Sequence, residues 1–330
     1  MEKYRAGLRL LMIILLGASV LPAIGLAQTP NWPSKPLRII TGWPPGGNVD
    51  AISRLLAEDI GKRTSQPIIV DNRPGAAGTI GALAVVRAEP DGHTLLVATM
   101  VEATVVPPMS VQIMQYDPEI DLQPVTQIGR WPMILLTNLN VPANTVAELV
   151  AYGKANPNKL NYGSLGTGTI NHLTGELFKL TAGIEAVHVP YKGGVLMLTD
   201  LVGGGVQFAF DSLGSALPLI QAGKIKPLAV TGQQRLTPIP NVPTTAEAGY
   251  AAVATDVWMG LFLPAKTPRN IVNTVHAEAA RILRGPIMRK ALEDRTIQPV
   301  VNTPEEFKTL LQVETAKKRQ LAARVGIKVE

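Results

Sequence analysis

Short apolar runs alternate along this chain with stretches whose apolar residues recur every third or fourth position. "LRIITGW", residues 37–43, reads as a buried strand, and residues 50–62 follow with Ile52, Leu55, Leu56 and Ile60 on one helical stripe. Residues 67–75 read as a strand running into a turn, residues 78–88 as a helix and residues 93–99 as a strand. Strands alternating with helices predict βαβ units and a largely parallel sheet. A second unit begins near Gly129, with strands at 133–138, 160–164, 186–191, 206–212 and 226–232 and helices between them. An apolar strand at 257–264 precedes a helix at 270–283. Thr145 with Glu148, and Thr303 with Glu306, have capping-box spacing, and Pro304 sits at the favoured first helical position. The last helix is expected to close before Gly326.

The N-terminus changes the picture of compartment. Lys3, Arg5 and Arg9 precede an apolar run over residues 10–26, and Gly25-Leu26-Ala27 offers small residues for cleavage before Gln28. This is the layout of a cleaved secretory signal peptide, residues 1–27. The rival reading is a membrane anchor, against which stand the short run and Pro22 inside it. The chain has no cysteine, so disulfides, thiolate metal sites and a cysteine nucleophile are ruled out. Of the net charge of +6, the leader carries +2 (three basic residues against Glu2), leaving +4 on the mature chain. The basic residues are scattered, so nucleic-acid binding is not expected. A mild positive field suits an anionic ligand and equally an ordinary solvated surface.

Two glycine-rich turns, each between a strand and a helix, carry the candidate chemistry. In "GWPPGGNVD", Gly46-Gly47 bares backbone N–H groups just before a helix that starts at about Asn48, with Asp50 in its first turn. In "YGSLGTGTINH", Gly163, Gly166 and Gly168 do the same, while Ser164, Thr167 and Thr169 add hydroxyls. Free N–H groups and the positive end of a helix dipole make an anion site. Each turn is also readable as a tight connection only. Neither fits a nucleotide-binding fingerprint. The chain has four histidines, no H-E-x-x-H and no nucleophile elbow, so no enzyme activity, metal or cofactor is expected. His172 reads either as a ligand contact or as a brace for its turn, and Asp211 as a helix cap or a cleft-orienting group.

The chain resembles the tripartite tricarboxylate transporter substrate-binding proteins, the Bug receptors. The resemblance rests on ordered blocks from about Trp32 to the C-terminus, among them "WPSKPLRIITGWPPGGNVDAISRLLA", "VDNRPGAAGTIGALAVVRAEPDGHTLL", "LNYGSLGTGTINHLTGELFK", "VHVPYKGG" and "FDSLGSALPLIQAGKIKPLAVTG". It implies an α/β, two-lobed periplasmic solute-binding fold of type II-like form with the ligand in a cleft between the lobes. Lobe 1 would comprise residues 28–128 and 258–330, and lobe 2 residues 129–257, with crossings near 129–132 and 257–264. It also implies that Gly46, Gly47, Ser164, Gly166, Thr167, Gly168 and Thr169 grip a carboxylate. Trp43, Asn48, Asp50, Thr99, His172, Tyr191 and Asp211 complete the candidate cleft. The chain departs from the family's usual pattern at Trp43, at Glu102, and at Arg130-Trp131. These last three would read the far end of the ligand: Arg130 by pairing a second carboxylate, Trp131 as a wall for an aromatic, Glu102 by favouring an amino or hydroxyl group. The implied protein is a monomer that delivers a small di-, tri- or aromatic carboxylate to membrane permease subunits. A ligand sensor docking on a signalling partner is the alternative.

Overall fold

The computed structural model describes residues 32–105 and 115–325; the expected leader and the Gln28 start lie outside them. β1 (Leu37–Thr41) leads through the first glycine turn into α1 (Asn48–Thr64). β2 (Ile68–Asn72) leads into α2 (Thr79–Val86), and β3 (Thr94–Thr99) into a wide π-type turn at Val101–Val105. The three strands run parallel, with Ile39 opposite both Val70 and Leu95. The apolar runs of β1 and β3 fit strands buried within a parallel sheet, while β2 at the edge leaves Ile69 exposed.

The short helix α3 (Pro118–Asp121) is capped by Asp117, which accepts from the Glu119 N–H at 2.9 Å, and opens directly into β4 (Leu122–Asn138). β4 is longer than the strand expected at 133–138. Pro124 and Gly129 read as punctuation in the sequence. In the structure they lie where the β4–β9 register shifts, and such irregularities let a strand bend and continue. After β4 come α4 (Val146–Ala155), β5 (Asn161–Ser164), α5 (Ile170–Ala182), β6 (Val187–Pro190), α6 (Gly194–Gly203), β7 (Phe208–Ser212), α7 (Leu213–Gln221) and β8 (Ile225–Val230). β9 (Asp256–Pro264) then returns to the first sheet, followed by α8 (Arg269–Arg284), α9 (Pro286–Glu293), β10 (Gln298–Pro299) and α10 (Pro304–Val325). The Thr303 box is reciprocal: the Glu306 N–H donates to Thr303 Oγ1 at 3.2 Å and the Thr303 N–H to Glu306 Oε2 at 2.8 Å.

β4 belongs to two sheets. Its first part pairs with β9 and β10, giving the order β2-β1-β3-β9-β4-β10, and its last part lies between β8 and β7 in the order β8-β4-β7-β5-β6. Both faces of its last part are buried. Met133 and Leu135 enter the main core while Ile134 and Leu136 enter a second cluster with Met197, Leu201 and Leu213, the period of two expected of a strand. Phe178 on α5 meets Phe208, Phe210 and Tyr250 edge-on at 5.8, 5.9 and 5.6 Å. Each such fully buried aromatic contributes roughly 1.5–3 kcal/mol. A Cβ on Gly175 would stand 2.3 Å from the Tyr162 ring, so this glycine lets α5 lie directly on β5. α10 packs on both β4 and α5. Among the described residues no helix is long and apolar enough to cross a membrane.

Candidate functional site

The strand register brings the two glycine turns to one seam. Thr99, at the carboxyl end of β3, lies opposite Met259, and Met259 lies opposite Gly129 of β4. Four residues further along β4, Met133 lies opposite Ser212, the carboxyl end of the antiparallel β7. The carboxyl ends of β1, β2 and β3 therefore point toward those of β5, β6 and β7 across residues 130–132 of β4. At about 3.3 Å per residue the gap along the strand is roughly 13 Å. In open α/β sheets, ligands bind outside the carboxyl ends of the parallel strands. Thr231 fastens this seam: its Oγ1 accepts from the Met133 N–H at 2.8 Å and donates to the Thr255 carbonyl at 2.6 Å. The chain returns here through Thr255–Asp256, just before the crossing expected at 257–264.

In the first turn, Gly46 has φ of +88°, a left-handed conformation that favours glycine, whereas Gly47 is extended at φ −80° and serves as the N-cap of α1. The first intrahelical bond joins the Ala51 N–H to the Gly47 carbonyl, so the amides of Asn48 and Val49 precede it and have no partner within the helix. Asp50 faces the turn itself. It accepts from the Gly46 N–H at 3.0 Å, Asn72 Nδ2 at 3.0 Å and Arg54 Nε at 3.1 Å. Burial alone would raise its carboxyl, but the hydrogen bonds from Arg54, Gly46 and Asn72 outweigh it and hold Asp50 below the ordinary carboxylate range. Under this turn the backbone of Gly42 touches that of Gly78, and an added Cβ on Gly42 would come within 2.3 Å of the Gly78 carbonyl oxygen.

Trp43 and Thr99 converge on Glu102. Trp43 Nε1 donates to Glu102 Oε1 at 2.8 Å; the Thr99 N–H and Oγ1 donate to Oε2 at 3.1 and 2.5 Å. Glu102 is fully buried, and burial pushes its carboxyl up to about 7 against these donors. It holds Trp43 and Thr99 in place, with both oxygens occupied by the protein.

In the second turn, Gly166 and Gly168 have φ of +126° and +80°. Thr169 caps α5, and its Oγ1 also donates to the Gly166 carbonyl at 2.7 Å. Thr167 is exposed at the tip. The first intrahelical bond joins the Leu173 N–H to the Thr169 carbonyl, which leaves the Ile170 and Asn171 amides free. The Ser164 hydroxyl is fully buried, accepts from the Gly166 N–H at 3.1 Å and lies 2.6 Å from His188 Nε2. It is a serine–histidine contact that sequence spacing did not reveal. The hydroxyl holds the turn and presents no surface to a substrate. His172 braces the same turn, its Nδ1 accepting from the Gly168 N–H at 3.1 Å.

Tyr191 and Asp211 close the far side. The Tyr191 hydroxyl donates to Asp200, and burial together with that bond pushes its phenol up to about 12. Asp211 accepts from the Ser212 N–H at 2.8 Å and Ser215 Oγ at 2.9 Å; the N-cap of α7 is Ser212, so Asp211 braces the helix start without capping it. Its burial raises the carboxyl to about 6. Of the pair on β4, Trp131 is only 7% exposed and packs into the main core, whereas Arg130 is exposed, its Nε donating to Gln298 Oε1 at 2.9 Å.

Two further glycine turns lie at the seam that the sequence did not single out. "RPGAAG" follows β2, with Ala76 and Ala77 at φ of +45° and +51°, a left-handed conformation costly for residues with a Cβ. Gly193-Gly194 follows β6, with room around Gly193 for a further atom. The signal available for both was their place after a parallel strand. Two surface depressions of about 710 and 650 Å³ lie elsewhere, against α8–α9 and against α1–α9. They are lined by charged and aliphatic side chains and contain none of the glycine turns. No cluster of metal-ligating side chains occurs among the described residues.

The family model for the tripartite tricarboxylate transporter family receptor matches residues 52–327. The UPF0065 protein in the gbd 5' region of Cupriavidus necator is 32% identical over 94% of this chain and 93% of its own length. Among solved structures, R. palustris Rpa4515 with adipate is 33% identical and superimposes with a TM-score of 0.84 over 90% of this chain and 99% of that one. MatC from Rhodopseudomonas palustris with bound malate is 28% identical, with a TM-score of 0.80 over 88% of this chain and 99% of that one. With two sets of parallel strands meeting at one seam, and with these relatives matched along nearly their whole length, the chain belongs to the tripartite tricarboxylate transporter receptor family, whose members are periplasmic solute-binding proteins.

Proposed function

We propose that this protein captures a small dicarboxylate at the seam between its two sheets and hands it on, chemically unchanged, to the membrane permease subunits of a tripartite transporter. The observation that carries the reading is the opposition of two helix N-termini with free first-turn amides, Asn48–Val49 and Ile170–Asn171, across residues 130–132 of β4. Backbone N–H groups at a helix start recognise a carboxylate without a buried cation. Relatives solved with adipate and with malate, both dicarboxylates, support the ligand class. Arg130, exposed beside the seam, is the side chain that selects a second acid group. The leader is removed before Gln28, and the mature chain works in the periplasm. Residues 28–128 with 258–330, and residues 129–257, act as two lobes that close on the ligand about the crossings at 130–133 and 255–256.

Calorimetry with adipate, malate and a monocarboxylate of matched length tests this. The dicarboxylates are expected to bind and the Arg130→Ala variant to lose affinity for them selectively, by about tenfold, because an acid group is left without its partner. Absence of binding by every carboxylate at neutral pH would overturn the ligand class.

A further inference from the structure

Beneath the second turn two imidazole rings lie face to face. His172, in the first turn of α5, and His188, on β6, have ring centroids 3.8 Å apart and planes 9° from parallel. Each ring holds a different point of the turn. His172 Nδ1 accepts the Gly168 N–H at 3.1 Å. His188 Nε2 bonds the Ser164 hydroxyl at 2.6 Å, and that oxygen accepts the Gly166 N–H at 3.1 Å. Tyr162 of β5 flanks the pair, with centroid distances of 5.1 Å to His188 and 6.4 Å to His172. Its hydroxyl donates to Glu176 at 2.6 Å, and Lys179 donates to the same carboxylate oxygen at 2.7 Å. The titratable groups facing the rings are therefore Tyr162 from β5 and Glu176 and Lys179 from α5. β7 contributes Phe208, stacked on Tyr162 at 5.4 Å.

This geometry fixes the protonation state of His172. With Nδ1 accepting from a backbone amide, the His172 proton must sit on Nε2. A second proton, on Nδ1, would face the Gly168 N–H donor to donor and break that bond. Two charged rings would repel across the stack, and a charge on His172 would also face the positive end of α5. The Glu176 carboxylate, which would favour a charged ring, is already engaged by Lys179 and Tyr162.

We infer that His172 and His188 are positioning residues of the anion-binding turn: His172, unprotonated on Nδ1, and His188, through the Ser164 hydroxyl, hold Gly168 and Gly166 so that the neighbouring amides face the ligand. The inference rests on the dicarboxylate reading for what the turn binds, but not for how the turn is held. Burial pushes both rings below the ordinary histidine range, His188 to about 4, which favours the unprotonated Nδ1 that the Gly168 bond requires.

The test is a pH titration of isotope-labelled, ligand-free protein by NMR, from about pH 8 to about pH 4, spanning the ordinary histidine value. We expect His172 to carry its proton on Nε2 at neutral pH, both rings to titrate well below the ordinary value, and the Gly166 and Gly168 amide signals to move with them. A ring titrating near the ordinary value while both amides stand still, or His172 protonated on Nδ1, would overturn the inference. A second arm uses adipate as the probe at neutral pH. His172→Phe keeps the aromatic stack without the acceptor and is expected to weaken adipate binding about tenfold, the cost of one buried donor left unpaired. His172→Gln, whose side-chain oxygen can accept from Gly168 but does not titrate, should restore most of that loss and abolish the pH response of the Gly168 amide. Wild-type affinity in the Phe variant with an unmoved Gly168 signal would also overturn it. Should the Phe variant fail to fold, the wild-type titration alone decides. Should wild type not bind adipate, the ligand reading fails while the titration still decides how the turn is held.

Discussion

Asp50→Ala separates a brace from a ligand contact. The sequence placed Asp50 in the candidate cleft; in the structure its carboxylate turns back to the Gly46 N–H, Asn72 and Arg54. A buried hydrogen bond to a charged acceptor contributes about 1.5–3 kcal/mol. The Arg54 pair adds no more than about 1 kcal/mol, because the Arg54 side chain is 54% exposed and solvent screens it. The charge in the first turn of α1 adds about 0.3–1 kcal/mol through the helix dipole. Asp50→Ala should therefore cost about 3 kcal/mol, or roughly 6–12 °C in Tm for a domain of this size. It should also weaken adipate binding, because Gly46 loses the partner that holds its left-handed conformation. Asp50→Asn keeps one acceptor and should lose about half as much. Because the folded carboxyl lies below its ordinary value, the contribution is present above that value and lost as pH falls through the depressed one; the Ala variant should show a flatter acid limb. Chemical denaturation and calorimetry on the three proteins provide the readout. A variant that melts like wild type but no longer binds would place Asp50 on the ligand and refute the brace.

Glu102 has the opposite pH sign. Its folded value of about 7 lies above the ordinary 4.5, so the contribution of Glu102 is fully present below the ordinary value and declines by up to about 3 kcal/mol as pH rises to 7 and beyond. Glu102→Gln should remove that slope, and denaturation curves with equal slopes in both proteins would show that Glu102 is not the source. Gly47→Val should fold normally, since Gly47 has an ordinary φ and its nearest neighbour to an added Cβ is the Pro44 oxygen at 3.9 Å, yet it should block carboxylate approach and weaken adipate binding at least about tenfold. Unchanged affinity by calorimetry would remove the first turn from the site. Saturating adipate should reduce the radius of gyration in small-angle scattering if the lobes close; an unchanged radius with measured binding would exclude the hinge.

The order of strands and helices was legible because their periods are strong: the Ile52–Ile60 stripe and the "LRIIT" run both appear where expected, and the Thr303 capping box forms, whereas at Thr145 only the cap itself forms and Glu148 accepts from the Asn144 N–H instead. β4 was legible only from Met133 onward. Pro124 and Gly129 break its pattern, and the bulges that absorb them are set by pairing with β9, a partner more than a hundred residues away in sequence. The glycine turns were legible as bare backbone, but Gly46 and Gly47 look alike in a sequence, and only the folded turn assigns positive φ to the first. The polar side chains were the least legible. Asp50, Glu102, His172, Tyr191 and Asp211 all lie at the seam, yet each spends its polar atoms on the turns or helices beside it. A residue type reveals that a group can bond a ligand, whereas the direction it points depends on neighbours supplied by other strands. Trp131 shows the same limit: an aromatic on a crossing strand reads as a ligand wall, and its burial in the main core appears only once β9 lies beside it.

Hydrogen exchange with and without adipate, resolved to individual amides, tests most directly that two opposed turns grip one ligand. Saturating adipate should protect Gly47, Asn48 and Val49 in the first turn together with Thr167, Ile170 and Asn171 in the second, to a similar degree and at the same ligand concentration. Binding measured by calorimetry with protection confined to one turn, or to residues away from both, would contradict the account.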